Sequence, residues 1–157
     1  MSSMRNRERG VTGFFEEIFL FAVVILIFLS TLYTVLYFGS LRAEREKYIE
    51  LYENVDKFAQ SFLGYKKIIR SGTIGLFDYH KLRAITYENI REDLQPAFNF
   101  SIKIIDVSEY PVKYNYTYGN ETNASYAYYS IMVKYPANIW VSEEEIHVAM
   151  VEVRGWL

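Results

Sequence analysis

Few side chains in this sequence have the spacing that an enzyme or a metal site requires. The chain has no cysteine, which excludes thiol catalysis, disulfides and cysteine-ligated zinc. Its two histidines, His80 and His147, are far apart in the sequence. Their acidic neighbours, Asp78 and Glu143 to Glu145, complete no ligand set at a recognised metal spacing. Without a phosphate-binding glycine loop or a nucleophile elbow, the sequence predicts a protein that is not an enzyme and holds no metal or other cofactor.

Glu16 and Glu17 directly precede a long apolar run. Residues 18–38 (IFLFAVVILIFLSTLYTVLYF) contain no charged side chain. A helix of this length spans about 31 Å, close to the hydrocarbon thickness of a bilayer. We therefore predict a single transmembrane helix over residues 11–40. Because the run is too long for the core of an ordinary secretory signal, it is expected to stay with the protein as an anchor in membrane lipid.

Lysine and arginine do not decide on which side of the membrane the C-terminal part lies. Basic residues occur both before the apolar run and shortly after it (Arg5, Arg7 and Arg9; Arg42, Arg45, Lys47 and Lys57). Sequons for N-glycosylation indicate that the C-terminal part is exported. All four lie after the apolar run, at Asn99, Asn115, Asn120 and Asn123. They predict a glycoprotein with a cytoplasmic N-terminus and an extracytoplasmic head. A head on the cytoplasmic side is the alternative if the sequons are accidental.

The pattern after the apolar run predicts a helix followed by a sheet. Over residues 41–64, apolar side chains recur at three- and four-residue steps, which is typical of an amphipathic stalk helix (Ile49, Tyr52, Val55, Ala59 and Phe62, widened by Tyr48, Leu51 and Phe58). Residues 65–157 form a β-rich head that begins with a connection over residues 64–76. Short helices are then expected over 78–85 and 87–93, with Thr86 as the N-cap of the second, and strands over 98–104, 112–118, 126–135 and 146–156.

The expected fold class is therefore α+β. A long N-terminal helix, transmembrane in its first half and amphipathic in its second, packs on a small antiparallel sheet. A head of this size buries a limited core, so the amphipathic half of the helix is needed to cover one face of the sheet.

Tyrosines alternate with polar residues along one predicted strand. Tyr114, Tyr116 and Tyr118 share one face of this strand, and Asn115 and Thr117 share the other. Such an aromatic row could bind a sugar or a protein partner, since tyrosine is favoured at interfaces. The alternative is that the three rings face the long helix as part of the core.

The order of these segments resembles archaeal type IV pilin-like proteins. A basic leader over residues 1–10, a glycine, a long apolar helix, its amphipathic continuation and a β-rich head are all present. The resemblance implies a class III signal that a prepilin-type peptidase cuts before the apolar stretch. The matching residues here are Arg9 and Gly10, and Val11 would then be the new N-terminus.

The resemblance also implies a role for the two glutamates. In bacterial type IV pilins, a glutamate five residues into the mature chain neutralises the amino terminus of a neighbouring subunit. Glu16 and Glu17 would be the sixth and seventh mature residues, one and two places beyond that position. The simpler interpretation is that both carboxylates lie at headgroup depth and face the positive end of the helix dipole.

The function implied is that of a structural pilin-like subunit, a major or minor pilin or a pseudopilin, in a cell-surface filament or envelope machine. Its partners would be like or related subunits that bind through the N-terminal helix. The alternative is an unprocessed, membrane-anchored binding module that presents the tyrosine-rich sheet to a sugar or protein. Because the net charge is −2, no basic field attracts nucleic acid.

Overall fold

The computed structural model describes residues 3–108, 111–120, 124–125 and 127–157, with helix side chains from residue 15 onward. It divides into two compact units, Met1–Glu46 and Lys47–Leu157. The elements are, in chain order, α1 (Ser3–Leu63), β1 (Leu76–Asp78), α2 (Tyr79–Ala84), α3 (Tyr87–Leu94), β2 (Asn99–Asp106), β3 (Asn115–Tyr118), β4 (Ser130–Trp140) and β5 (Ile146–Trp156). The α+β class predicted from the sequence is confirmed.

The five strands form one mixed sheet in the order β1-β4-β5-β2-β3. Three of its four strand pairs are antiparallel, as predicted: β4 with β5, β2 with β5, and β2 with β3. The fourth pair is parallel, because β1 runs alongside the end of β4 with Phe77 opposite Ile139. The antiparallel sheet predicted from the sequence therefore has one parallel pair at this edge, where residues 76–78 had been assigned to a connection and a short helix.

The last turns of α1 cover one face of the sheet. Leu51, Val55, Phe58, Ala59 and Phe62 are buried, with exposed fractions between 0% and 6%. The rings of Phe58 and Phe100 lie 4.7 Å apart, and those of Phe62 and Phe77 lie 5.8 Å apart. These contacts join the helix to β2 and to β1, so the core lies between α1 and the sheet.

The buried stripe of α1 is narrower than the sequence suggested. Ile49 and Tyr52 were expected in the stripe but are 46% and 49% exposed. The sheet therefore covers the face that carries Leu51 and Val55 and leaves the neighbouring face open.

The helix α1 approaches the sheet closely at Gly155 in β5. A β-carbon at this position would lie 2.2 Å from Cγ2 of Val55 and 2.8 Å from the ring of Phe98. Both distances are far below van der Waals contact, so only glycine lets the helix approach β5 this closely. Val55 is fully buried, and its side chain occupies the space that any larger residue at position 155 would need.

Polar side chains fix the segments around this core. Thr86 caps α3 in a capping box with Asn89, which confirms the predicted N-cap. The hydroxyl of Tyr135 in β4 donates to Asp56 of α1. Farther along, the hydroxyl of Tyr65 donates to Asp93 of α3. The pKa of Asp93 is lowered, chiefly by its contact with the Lys67 ammonium and then by the Tyr65 hydrogen bond.

We expect Gly155→Ala to lower the free energy of unfolding by about 1–3 kcal/mol, the usual range for an overpacked core. The measurement is denaturant unfolding of the full chain in detergent, followed by fluorescence of Trp140 and Trp156, which both lie in the head. In a Val55→Ala/Gly155→Ala double variant the loss should be smaller than the sum of the single losses, since the smaller side chain leaves room for the new methyl group.

Gly39→Ala is the matched control for this substitution. A β-carbon at Gly39 would meet nothing within 4 Å, so the same chemical change should not destabilise the protein there. A Gly155→Ala variant as stable as the Gly39→Ala variant would contradict the close contact.

Candidate functional site

The candidate functional site is the apolar surface of α1 between Phe15 and Phe38. Its exposed large side chains range from 42% exposed at Ile25 to 70% exposed at Tyr33. They lie on all sides of the helix rather than along one stripe, and such a helix requires an apolar environment on every side. This helix is long and apolar enough to cross a membrane. The prediction of one apolar helix of membrane-spanning length is confirmed to this extent.

Two hydroxyl side chains within the apolar segment donate hydrogen bonds to the helix itself. The hydroxyl of Thr31 donates to the carbonyl of Ile27, and that of Thr34 donates to the carbonyl of Ser30, both at 2.8 Å. Hydroxyls bonded in this way do not need water, so they are tolerated in hydrocarbon. Their short side chains also let a neighbouring helix approach closely.

Aromatic and charged residues mark the C-terminal end of this segment. Tyr33 and Tyr37, one turn apart, have stacked rings 6.0 Å apart. Arg42 and Glu46 form an ion pair at 3.1 Å on the next turns. Interfacial tyrosines followed by solvated charges are typical of the boundary between a bilayer and water.

Glu16 and Glu17 both have exposed side chains at the other end of the segment. Consecutive residues of an α-helix point about 100° apart, so the two carboxylates lie on different faces. The two carboxylates therefore cannot both point straight at one group on a neighbouring helix.

The predicted processing residues have helical backbone, since α1 begins at Ser3. The side chains of Arg9 and Val11 lie outside the described part of the structure. Cleavage after Gly10 stays a prediction.

Three of the predicted glycosylation sites are in the described part of the head. Asn99, Asn115 and Asn120 are all exposed, whereas Asn123 lies outside the described residues. Thr117 of the second sequon is also exposed, but Ser101 of the first is 1% exposed. In the folded head, the sequon of Asn115 is thus more accessible than that of Asn99.

The tyrosine row is mostly part of the head's interior. Tyr118 is 7% exposed, and its hydroxyl donates to the carbonyl of Leu82 in α2 at 2.7 Å. Tyr116 and Tyr114 are half-buried, and the ring of Tyr114 lies 5.2 Å from that of Tyr79 in α2. The hydrogen bond and this ring contact join the row to the short helix α2, whereas the sequence suggested the long helix. Partner binding by these residues stays a prediction for which little surface is available.

A buried polar cluster lies at the end of the sheet that carries the β4–β5 turn. His147 is 4% exposed and Asp106 is fully buried. The imidazole Nε2 is 3.0 Å from Oε1 of Glu145, and Nδ1 is 3.0 Å from Oδ2 of Asp106. The contact between Nδ1 and Oδ2 does not have the geometry of a hydrogen bond. The other carboxylate oxygen of Asp106 accepts a hydrogen bond from the backbone N–H of Ser108 at 2.9 Å.

This cluster connects segments that are distant in sequence. Lys113 donates to Glu145, and the ring of Tyr114 lies 5.0 Å from that of His147. Each imidazole nitrogen lies 3.0 Å from a carboxylate oxygen. The described residues contain no group of three or more His, Asp or Glu side chains that could hold a metal ion. The arrangement fixes the β4–β5 turn to the end of β2.

The other histidine, His80, lies in the short helix α2. The Asp78 carboxylate accepts from the backbone N–H groups of His80 and Lys81, and so caps α2. Asp78 is therefore the N-cap of α2. Among the histidines and acidic residues considered as metal ligands in the sequence, the described side chains in contact are those of Glu145 and His147.

Sequence reasoning missed Asp106. A signal was available, because Phe100, Ile102 and Ile104 alternate with polar residues and the same alternation places Asp106 on the core face of β2.

Comparison with protein-family models, with curated proteins and with solved structures finds no match for this chain.

The ion pair at the β4–β5 turn predicts a pH dependence. The pKa of Glu145 is lowered, mainly by the Lys113 ammonium and then by His147. A carboxyl whose pKa is lower in the folded state stabilises the fold above its ordinary value of 4.5, and this contribution is lost as the pH falls through the folded-state value. The difference in unfolding free energy between the wild type and Glu145→Gln should therefore shrink as the pH falls below 4.5.

Denaturant unfolding at a series of pH values measures this difference. Glu143→Gln is the control, because it removes one carboxylate from the same turn but breaks none of the ion pairs seen in the described part of the chain. A difference for Glu145→Gln that stays constant from neutral to acidic pH would refute the ion pair's contribution.

Proposed function

We propose that this chain is a structural, non-enzymatic subunit of pilin-like build, which belongs to a cell-surface filament or an envelope machine. The observation that carries the proposal is the division of a single helix. From Phe15 to Phe38 its large apolar side chains are exposed on all sides, whereas Val55 and Phe62 near its end are fully buried in the head. One helix thus supplies both an exposed apolar surface and a buried side of the head's core.

Such a helix has two suitable environments. Each large apolar side chain transferred from water contributes about 1.5–3 kcal/mol, so the segment is stable in a bilayer before assembly. In a filament, the same surface packs among equivalent helices. Helices in apolar surroundings associate through close packing, and Gly13, Ala22, Ser30 and Thr34 are the small residues that allow it.

The glutamates fit this proposal as an assembly element. A carboxylate among apolar helices is costly unless a positive group pairs with it, and a free amino terminus of a neighbouring subunit provides one. Removal of residues 1–10 by a prepilin-type peptidase would create this amino group at Val11. The exposed Asn115 and Asn120 support a head on the extracytoplasmic side, where N-glycans are attached.

The alternative, an unprocessed anchored module that binds partners with its tyrosines, has less support. Tyr118 is buried and bonded to α2, and its two neighbours are half-buried. The pilin-like function requires the removal of residues 1–10, whereas the anchored module keeps them.

We expect the intact mass of the protein from its native membrane to correspond to a chain that begins at Val11. Gly10→Val should retain residues 1–10, because a peptidase that recognises the leader glycine would be blocked. Gly13→Val makes the same change three residues farther on and should still be processed. A wild-type chain that begins at Met1 would overturn the pilin-like proposal and favour the anchored module.

We expect only one of the substitutions Glu16→Gln and Glu17→Gln to reduce filament yield, since two side chains about 100° apart cannot both point straight at one group on a neighbour. The yield is measured by sedimentation and electron microscopy of sheared filaments, with Glu44→Gln as a control on a solvated part of the helix. If both substitutions reduced the yield equally, or neither did, the pairing role would be wrong.

A further inference from the structure

The face of the sheet opposite α1 is exposed along the middle of β4 and β5, whereas Ser101 at one end of that face is 1% exposed. Side chains alternate along β5, so the buried Ala149 and Val151 face the helix while Ile146, Val148 and Met150 face outward. Ile146 is 58% exposed and Val148 is 52% exposed. We call this outward side of the sheet the outer face.

Strand register makes the apolar part of the outer face continuous. Val148 lies beside Val107, whose backbone N–H donates to its carbonyl at 2.8 Å, and Val107 is 55% exposed. Met150 is directly opposite Pro136 in β4, and Ile146 is opposite Trp140. Asn138 lies directly opposite Val148 in β4 and is exposed, so the six apolar side chains form a patch around one polar residue near Val148. Exposed apolar patches of this kind on a folded domain mark interaction surfaces.

Charges of opposite sign flank the patch along the strand direction. At the end with the β4–β5 turn, Glu143, Glu144 and Glu145 outnumber Lys113, the one cation paired with them. At the other end, Lys103, Lys134 and Arg154 outnumber Glu152, which pairs with Lys134. A further cation, Arg70, lies at the lateral edge, stacked 3.2 Å from the centre of the Trp140 ring. The outer face is thus acidic at one end, apolar in the middle and basic at the other end.

We propose that the outer face binds the outer face of a second copy of this chain about a two-fold axis that passes near Val148, parallel to the sheet and perpendicular to its strands. Such an axis brings the apolar centres together and places the acidic end of each copy on the basic end of the other. At about 3.3 Å per residue, Glu143 to Glu145 lie roughly 10–16 Å from Val148, and Lys103, Lys134 and Arg154 lie roughly 13–20 Å from it in the opposite direction, so this rotation brings opposite charges near each other. An interface of this kind uses the same patch on both subunits and closes as a dimer.

This inference does not depend on the pilin-like proposal. The outer face belongs to the head, whereas the proposed filament contacts use the apolar segment of α1. Processing at Gly10 could fail while the heads still pair, and the reverse is equally open to observation.

A single cysteine tests the position of the axis, because the natural chain has none. Val148→Cys in the full detergent-solubilised chain should form a disulfide-linked dimer about tenfold faster than Tyr52→Cys, because only the first position meets its own copy at the axis. Tyr52 is similarly exposed, at 49%, but lies on α1. Its rate therefore measures random collision and association through the helix. Equal rates at the two positions would overturn the proposal and leave the face to another partner.

Charge reversal tests the pairing of the two ends. Glu143→Lys/Glu144→Lys should slow the cross-linking of Val148→Cys by about tenfold or more, because like charges then face each other across the interface. Lys103→Glu/Arg154→Glu should do the same, provided that its tryptophan fluorescence shows a folded head. Mixing the two reversed chains should restore cross-linking, and mass spectrometry should find mainly mixed dimers. If the mixture cross-linked no faster than either chain alone, the antiparallel arrangement would be excluded.

Discussion

Val55 of α1 lies directly over Gly155 of β5, and this contact sets the orientation of the whole sheet. Only a residue without a β-carbon fits beneath the helix at this point. Because side chains alternate along a strand, the position of Gly155 also determines which residues of β5 face inward. The inward set runs from Gly155 back to His147, and the outward set includes Ile146 and Val148. One close contact thus places both the buried polar cluster and the exposed apolar patch.

His147 is the last residue of this inward-facing set, and its imidazole is buried. A buried polar side chain is costly without partners, and the neighbouring segments provide them. Asp106 comes from the core face of β2, and Glu145 from the turn before β5. Tyr79, Tyr114 and His147 form a series of edge-to-face contacts with centroids 5.0 to 5.2 Å apart, so the aromatic row covers this cluster from the side of α2. A row of rings that could have served recognition is therefore used chiefly for packing.

Local pattern was sufficient for the long helix, for the cap at Thr86 and for both ends of β5, whereas β4 begins and ends four to five residues later than the strand predicted over 126–135. Local pattern was insufficient where structure depends on distant partners. Residues 76–78 are a strand only because they pair with β4, some sixty residues later, and three residues carry no periodicity of their own. The exposure of Ile49 and Tyr52 likewise depends on where the sheet ends under α1. In the candidate site, the apolar segment was evident from the sequence, whereas the burial of Tyr118 depended on the position of α2.

The two proposed contact surfaces differ in the physical source of their stability. The segment from Phe15 to Phe38 is uncharged from Ile18 onward, so its association depends on packing and on the surrounding lipid or helices, and salt has little effect on it. The outer face combines an apolar centre with opposed charges in water, and such charges are screened over about 10 Å at moderate ionic strength. Raising the salt concentration should therefore separate the heads before it separates the helices. Pairing of heads and packing of helices are in this way distinguishable properties of the same chain, even where both contribute to one assembly.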